Sequence, residues 1–170
     1  MAVKPGVRIL GVDPGLRVTG YGVIETSSSR STDCELVEAG IIRTRADSGI
    51  AARLERVYAA LEEVIDEFRP DALVIEKLYA HYQHPATAIL MGHVRGVVCL
   101  LSGTKKIPLT SIASTHVKKA VTGRGHAGKD QIGRMVQHTL NLKSLNAPSD
   151  ATDALAIALS YVFNAKKGGA

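Results

Sequence analysis

Tryptophan is absent from the 170 residues, and only seven aromatics occur, two Phe and five Tyr. Core filling therefore falls to Ala, Val, Ile and Leu, which supply most of a 45% apolar fraction. Cysteine is nearly absent as well. Cys34 stands among polar residues and Cys99 in an apolar run, with no metal-ligand spacing between them. That argues against a disulfide framework and fits a reducing compartment. No stretch approaches the ~18 consecutive apolar residues of a membrane span. The longest, Ala88 to Leu101, is broken by His93 and Arg95. The first residues lack the long apolar segment and small-residue cleavage site of a secretory signal. Repeats, low-complexity blocks and long linkers are missing too. The length then corresponds to a single domain over residues 1–170, with loose tails expected at 1–5 and 165–170. The expectation is a cytoplasmic protein with no membrane partner.

What is present is positive charge, unevenly spread. Lys and Arg number 21 against 16 Asp and Glu, a net +5 with a pI near 9.3. Residues 105–143 hold Lys105, Lys106, Lys118, Lys119, Arg124, Lys129, Arg134 and Lys143 against the single acid Asp130. That segment is net +7, so the remainder is net −2. Such a balance favours a polyanionic partner, nucleic acid or an anionic membrane surface. A solvated helical face with a flexible loop is the plain structural alternative.

The hydrophobic pattern gives an α/β protein. Val7–Val12, Gly20–Thr26 and Leu36–Thr44 read as strands joined by turns. Ile50, Leu54, Val57, Tyr58, Leu61, Val64, Ile65 and Phe68 recur at helical spacing, and Arg69-Pro70 ends that helix. Ala72–Ile75 and Ile107–Ile112 read as short buried strands. Helices are expected over 85–102, Ser114–Val121, Ala127–Leu142 and from about Pro148-Ser149 onward. Three strands on short turns pair antiparallel, and the later βαβ units pair parallel with right-handed crossovers. The expected architecture is a five-stranded mixed sheet, an antiparallel β-meander plus parallel strands, flanked by helices. Such sheets present functional groups at the carboxyl ends of their parallel strands.

Four acids fall at telling places on that frame. Asp13 follows the first strand and precedes a Pro-Gly turn. Glu76 ends the fourth strand. Asp150 and Asp153 lie at i and i+3 in the first turns of the last helix, on one face. Each has an ordinary reading when taken singly: Asp13 as a turn residue, Glu76 as a rim charge paired with Lys77, Asp150 as a helix cap, Asp153 as a first-turn acid. The first and fourth strands are expected to be neighbours, which brings their acidic ends together, and the last helix can bring two more. At an effective dielectric of ~20, two like charges about 4 Å apart repel by about 4 kcal/mol. Four ionised carboxylates therefore call for cations, and hard oxygen donors suit Mg²⁺ or Mn²⁺. A pair of such ions stabilises the attacking and leaving oxygens of a phosphodiester displacement.

Gly11-Val12-Asp13-Pro14-Gly15-Leu16 followed by Thr19-Gly20-Tyr21-Gly22, then Ile75-Glu76, Arg95-Gly96-Val97, Val117-Lys118, Gly123-x-Gly125 with Lys129, and Asp150-Ala151-Thr152-Asp153-Ala154-Leu155-Ala156-Ile157-Ala158 resemble the motifs of the RuvC family of bacterial Holliday-junction resolvases. The resemblance covers roughly residues 7–163. It implies an RNase H-like fold and an endonuclease that nicks two opposed strands of a four-way DNA junction symmetrically, leaving 5′-phosphate and 3′-hydroxyl ends, in recombination and repair. By the same likeness Asp13, Glu76, Asp150 and Asp153 are catalytic and bind two Mg²⁺ ions, with Mn²⁺ as a substitute. It implies a homodimer through the 85–102 helix, with Gly92 and Gly96 on its face. Four-way junction DNA is the substrate, RuvA and RuvB are the branch-migration partners, and the location is at the nucleoid.

Lys118 and Lys129 match functional basic positions, and Lys119 and Arg124 extend the same DNA-binding region. Tyr79 matches an aromatic that stacks on junction bases, as any π-face permits. The chain departs from the family at Tyr79-Ala80-His81-Tyr82-Gln83-His84-Pro85 and at His93-Val94 before Arg95-Gly96, which bears on base preference. His81, His84 and His93 read as loop or helix-face polar residues rather than metal ligands. The rival readings are a non-catalytic junction binder, another RNase H-fold nuclease, and an actin-like ATPase suggested by Asp13-x-Gly15 and Thr19-Gly20. The ATPase folds need two such domains.

Overall fold

We describe the protein from a computed structural model, which places residues 6–27, 33–78, 85–144 and 147–167. The chain forms β1 (Arg8–Asp13), β2 (Val18–Thr26), β3 (Cys34–Arg43), α1 (Ile50–Phe68), β4 (Ala72–Glu76), α2 (Pro85–Lys105), β5 (Leu109–Ile112), α3 (Ser114–Thr122), α4 (Lys129–Thr139) and α5 (Ser149–Lys167). The five strands make one sheet in the order β3-β2-β1-β4-β5. β2 is antiparallel to both β1 and β3, while β4 is parallel to both β1 and β5. This is the mixed sheet expected from the pattern, with β1 and β4 side by side.

Strand alternation explains how one sheet serves two layers. Ile9, Ile24 and Val74 face a layer that includes Leu155, Leu159 and Val162 of α5, Val117 of α3 and Val136 of α4. Leu10, Val12, Val23, Leu73 and Ile75 face the other layer, with Val57, Leu61 and Ile65 of α1 and Val94, Val98 and Leu101 of α2. Each fully buried aliphatic side chain contributes roughly 1.5–3 kcal/mol relative to exposure. On the α5 side, Gly11 and Gly20 carry no side chain because the helix lies against the strands there. A Cβ on Gly11 would run into the Ala154 carbonyl and the Ala158 amide, and one on Gly20 into the Asp150 carbonyl. That close approach brings the start of α5 down to the ends of β1 and β2.

Several expectations from the sequence change at the element ends. β5 begins at Leu109 rather than Ile107; Pro108 has no N–H for a ladder, and its carbonyl accepts from Leu73 N–H at 2.9 Å. α4 is shorter than the 127–142 pattern. Gly128 is extended before its first turn, and Asn141 is left-handed just past its end. α1 stops as expected, with Arg69 left-handed and its N–H on the Ile65 carbonyl at 2.8 Å. Residues 165–167 are not a loose tail, because α5 continues through Lys167. The two cysteines are both free, but their settings are reversed: Cys34 is buried and Cys99 is exposed.

α2 also runs longer than expected, to Lys105, and by length and composition its Ala86–Lys105 span could cross a membrane. Its Val94, Val98 and Leu101 are nevertheless packed in the core, at i, i+4 and i+7. Ile89, Leu90 and Leu100 are exposed on other faces of the same helix.

Candidate active site

Asp13 is the last residue of β1, and its carbonyl accepts from Gly15 N–H at 3.1 Å, which folds the chain sharply at Pro14. Buried Thr19 closes the turn by donating its hydroxyl to the Gly15 carbonyl at 2.7 Å. Glu76 is the last residue of β4. Val12 pairs with Ile75 in the parallel register, so the two acids sit one step beyond the same pair. Asp153 comes from the second turn of α5. Asp13, Glu76 and Asp153 line one cleft of about 300 Å³ together with Lys118 of α3 and Lys129 of α4. Asp150 is not among the residues lining that cleft; it acts on Asp13 and Lys129 through space.

The electrostatics are those of a crowded anion cluster. The Asp13 carboxyl is pushed up to about 7, first by burial and then by Asp153, Glu76 and Asp150, with Lys129 opposing. Glu76 is raised by burial and by Asp153, against the pull of Lys118 and Arg95. Lys129 is raised by Asp153, with which it forms an ion pair at 3.2 Å. Among the described residues, no group of three or more Asp, Glu, His or Cys side chains is placed so that it could hold a metal ion. The donor set is nonetheless all carboxylate oxygen, and a divalent cation would relieve the repulsion that lifts Asp13. In the chemistry of their donors the residues present therefore fit a hard divalent cation.

A pH dependence follows. An acid whose folded-state pKa is raised adds stability below its unfolded pKa, near 3.8, and that contribution is lost as pH rises through about 7. Each pKa unit is worth about 1.4 kcal/mol, so the tension at Asp13 is on the order of 4 kcal/mol. In EDTA, the Tm of the wild type is expected to fall relative to Asp13→Asn between about pH 4 and pH 8. Millimolar Mg²⁺ is expected to close the gap at pH 8. A Tm difference that is flat across this range in EDTA would show that Asp13 is not strained by its neighbours.

The remaining site residues are distributed more widely than the sequence suggests. Lys118 and Lys129 enter the cleft, whereas Lys119 is exposed on α3 and Arg124 is exposed in the turn after it. In that turn Gly123 is left-handed, and the Thr122 hydroxyl accepts from Arg124 N–H at 3.2 Å. The basic segment is not one surface. Lys105 is tied to Asp66 at 2.8 Å and Glu62 at 3.0 Å on α1, so its charge is spent within the fold. Tyr79, His81 and His84 lie outside the described residues. His93 sits exposed on α2 with Nδ1 2.8 Å from the Ile89 carbonyl, which makes it a helix-face residue as expected. Arg95 was legible only as part of a motif. In the fold its guanidinium donates to the Glu76 backbone carbonyl and to the Ser111 hydroxyl, across 19 and 16 residues of chain. No local pattern signals such a contact.

Residues 9–161 match the profile of the family described as Crossover junction endodeoxyribonuclease RuvC. The protein of that description from Rhodopirellula baltica is 44% identical over 161 residues, covering 94% of this chain and 89% of the relative. The one from Pseudothermotoga lettingae is 42% identical over 150 residues, covering 88% and 90%. A solved structure of Thermus thermophilus RuvC in complex with a Holliday junction substrate is similar at a TM-score of 0.88 and 31% identity, covering 95% of this chain and 96% of that one. The yeast mitochondrial Holliday junction resolvase Ydc2, at 12% identity and a TM-score of 0.65, shares the fold.

Proposed function

The chain belongs to the RuvC family of crossover junction endodeoxyribonucleases, divalent-metal-dependent nucleases that act on Holliday junctions, and from that premise we propose how its own residues divide the work. The observation that carries the proposal is Asp13: a strand-end carboxyl lifted to about 7 by burial and three neighbouring acids, beside two lysines in one cleft. Asp13, Glu76, Asp150 and Asp153 are the catalytic acids and hold two Mg²⁺ ions. Bound there, the metal supplies Lewis acidity that favours in-line attack of water on phosphorus and departure of the 3′ oxygen.

Asp13 would hold a divalent cation as a carboxylate, so a group lifted to about 7 would bind it more tightly as pH rises through that range. Lys118 and Lys129 hold the scissile phosphate and offset charge gathering on its oxygens. Lys129 is kept over the acids by its ion pair with Asp153. Lys119 and Arg124, both exposed, grip flanking phosphates without reading sequence. Tyr79 stacks on a junction base.

The chain acts as one nuclease domain and as a homodimer, since a twofold enzyme suits a twofold junction. The support for the interface is α2. Its Ile89, Leu90 and Leu100 are exposed, and a Cβ added at Gly92 or Gly96 would meet nothing within 4 Å outside its own helix. RuvA and RuvB as partners, and a cytoplasmic site of action at the nucleoid, follow from the family likeness and the DNA substrate.

The test is a cleavage panel of labelled four-way DNA junction, duplex DNA and RNA–DNA hybrid, each with Mg²⁺ or EDTA. Paired, symmetric junction nicks that disappear in EDTA are expected. Cleavage of the hybrid in preference would select another nuclease of this fold, and binding without nicks would select a structure binder.

A further inference from the structure

We propose that Arg95 is a positioning residue that fixes the end of β4 from α2, and so places the Glu76 carboxylate; the proposal rests on reading Glu76 as a catalytic acid. Arg95 is half-buried between α2 and the sheet. One terminal nitrogen donates to the Glu76 backbone carbonyl and the other to the Ser111 hydroxyl on β5, at 3.4 Å. A planar guanidinium presents its donors in a fixed fork that can hold two acceptors on two strands in set positions, whereas an ammonium is a point charge on a flexible stem. Arg95 also lines a small cavity of about 160 Å³ together with Pro14, Glu76, Met91 and Ser114. Pro14 follows Asp13, so Arg95 borders both acid-bearing strand ends.

The placement matters because Glu76 is the last residue of its strand. Just beyond it, Lys77 N–H donates to the Ile112 carbonyl of β5 at 2.8 Å. The Arg95 bond supplies a restraint at the point where the sheet is running out. It does so from a helix whose inner side is locked in the core by Val94 and Val98, the residues flanking Arg95 in sequence or one turn away. Any tilt of α2 is thereby passed to the Glu76 backbone. A second copy docked on the outer face of α2 would steady the same contact.

The experiment measures Mn²⁺ binding to the metal-free protein by calorimetry, single-turnover junction cleavage, and junction affinity in Ca²⁺, for wild type, Arg95→Ala, Arg95→Lys and Glu76→Gln. Supporting groups around metal ligands typically change affinity or activity by 10–100-fold, and small misplacements of reacting groups cost up to about 100-fold. Arg95→Ala is expected to raise the Mn²⁺ dissociation constant about 10-fold and slow cleavage about 30-fold, with junction affinity within about 3-fold of wild type. Arg95→Lys is expected to recover part of both losses. Wild-type metal affinity and cleavage in Arg95→Ala, or a loss confined to junction affinity, would overturn the proposal. If Arg95→Ala does not fold, Arg95→Lys decides: a rise of about 3-fold in the Mn²⁺ constant supports the proposal, and wild-type values overturn it. Glu76→Gln separates the two levels. If it cleaves like wild type, the reading of Glu76 fails; if it is inactive while Arg95→Ala is normal, only the role of Arg95 fails.

Discussion

Asp13→Asn is expected to slow junction cleavage by at least ~10³-fold, roughly 4 kcal/mol of transition-state stabilisation, while leaving junction binding intact. The amide keeps the shape of the side chain and can still sit in the β1 turn, so the fold is not at stake. It removes the negative charge whose neighbours lift Asp13 to about 7. Binding in Ca²⁺ or EDTA is expected to equal or slightly exceed that of wild type, because a negative charge has been taken from a surface that meets phosphates. Gel-shift titration and single-turnover cleavage on the same junction check both halves. Loss of binding together with cleavage would move Asp13 from chemistry to structure.

Gly11→Ala is expected to be strongly destabilising. A Cβ there has no room, since it meets the backbone of α5 at Ala154 and Ala158 rather than the movable end of a side chain. Overpacking of this kind costs about 3 kcal/mol or more when backbone must shift. For a chain of this size that corresponds to a fall in Tm of about 10 °C. Cleavage is expected to fall further than the folded fraction explains, because α5 carries Asp150 and Asp153. Gly103→Ala is the matched control. It lies on α2 with nothing within 4 Å, and the helix there is expected to gain about 0.5–1 kcal/mol. Thermal unfolding of the pair, and cleavage normalised to folded protein, decides the matter. Equal Tm values would mean that α5 is free to retreat from the sheet.

These two substitutions show which parts of the site the chain announces and which it does not. Asp13 and Glu76 were legible because each follows a short apolar run and ends a strand, and strand ends in a parallel pair come together by register. Asp150 and Asp153 were legible as one helix face. Their grouping with the strand ends was expected, but how near α5 comes to β1 and β2 was not legible. Gly11 and Gly20 set that distance, and a glycine in a strand does not say what approaches it. The +7 segment was legible as composition but misleading as a surface. Lys105 belongs to α1 through Asp66 and Glu62, while Lys118 and Lys129 turn into the acid cleft.

By itself, then, the sequence determined the element order, the mixed sheet and the identity of the acidic residues, because these follow from periodicity, turn residues and short-range chain geometry. Its motifs were enough to suggest the family. The tertiary structure decided what periodicity cannot encode: that three acids share a cleft with two of the eight cations, that Asp13 is strained toward neutrality, and that Arg95 reaches across to the end of β4. The reason is physical. Strand and helix patterns are written within a few residues, whereas desolvation, like-charge crowding and a guanidinium bridge arise only where segments distant in the chain are packed together.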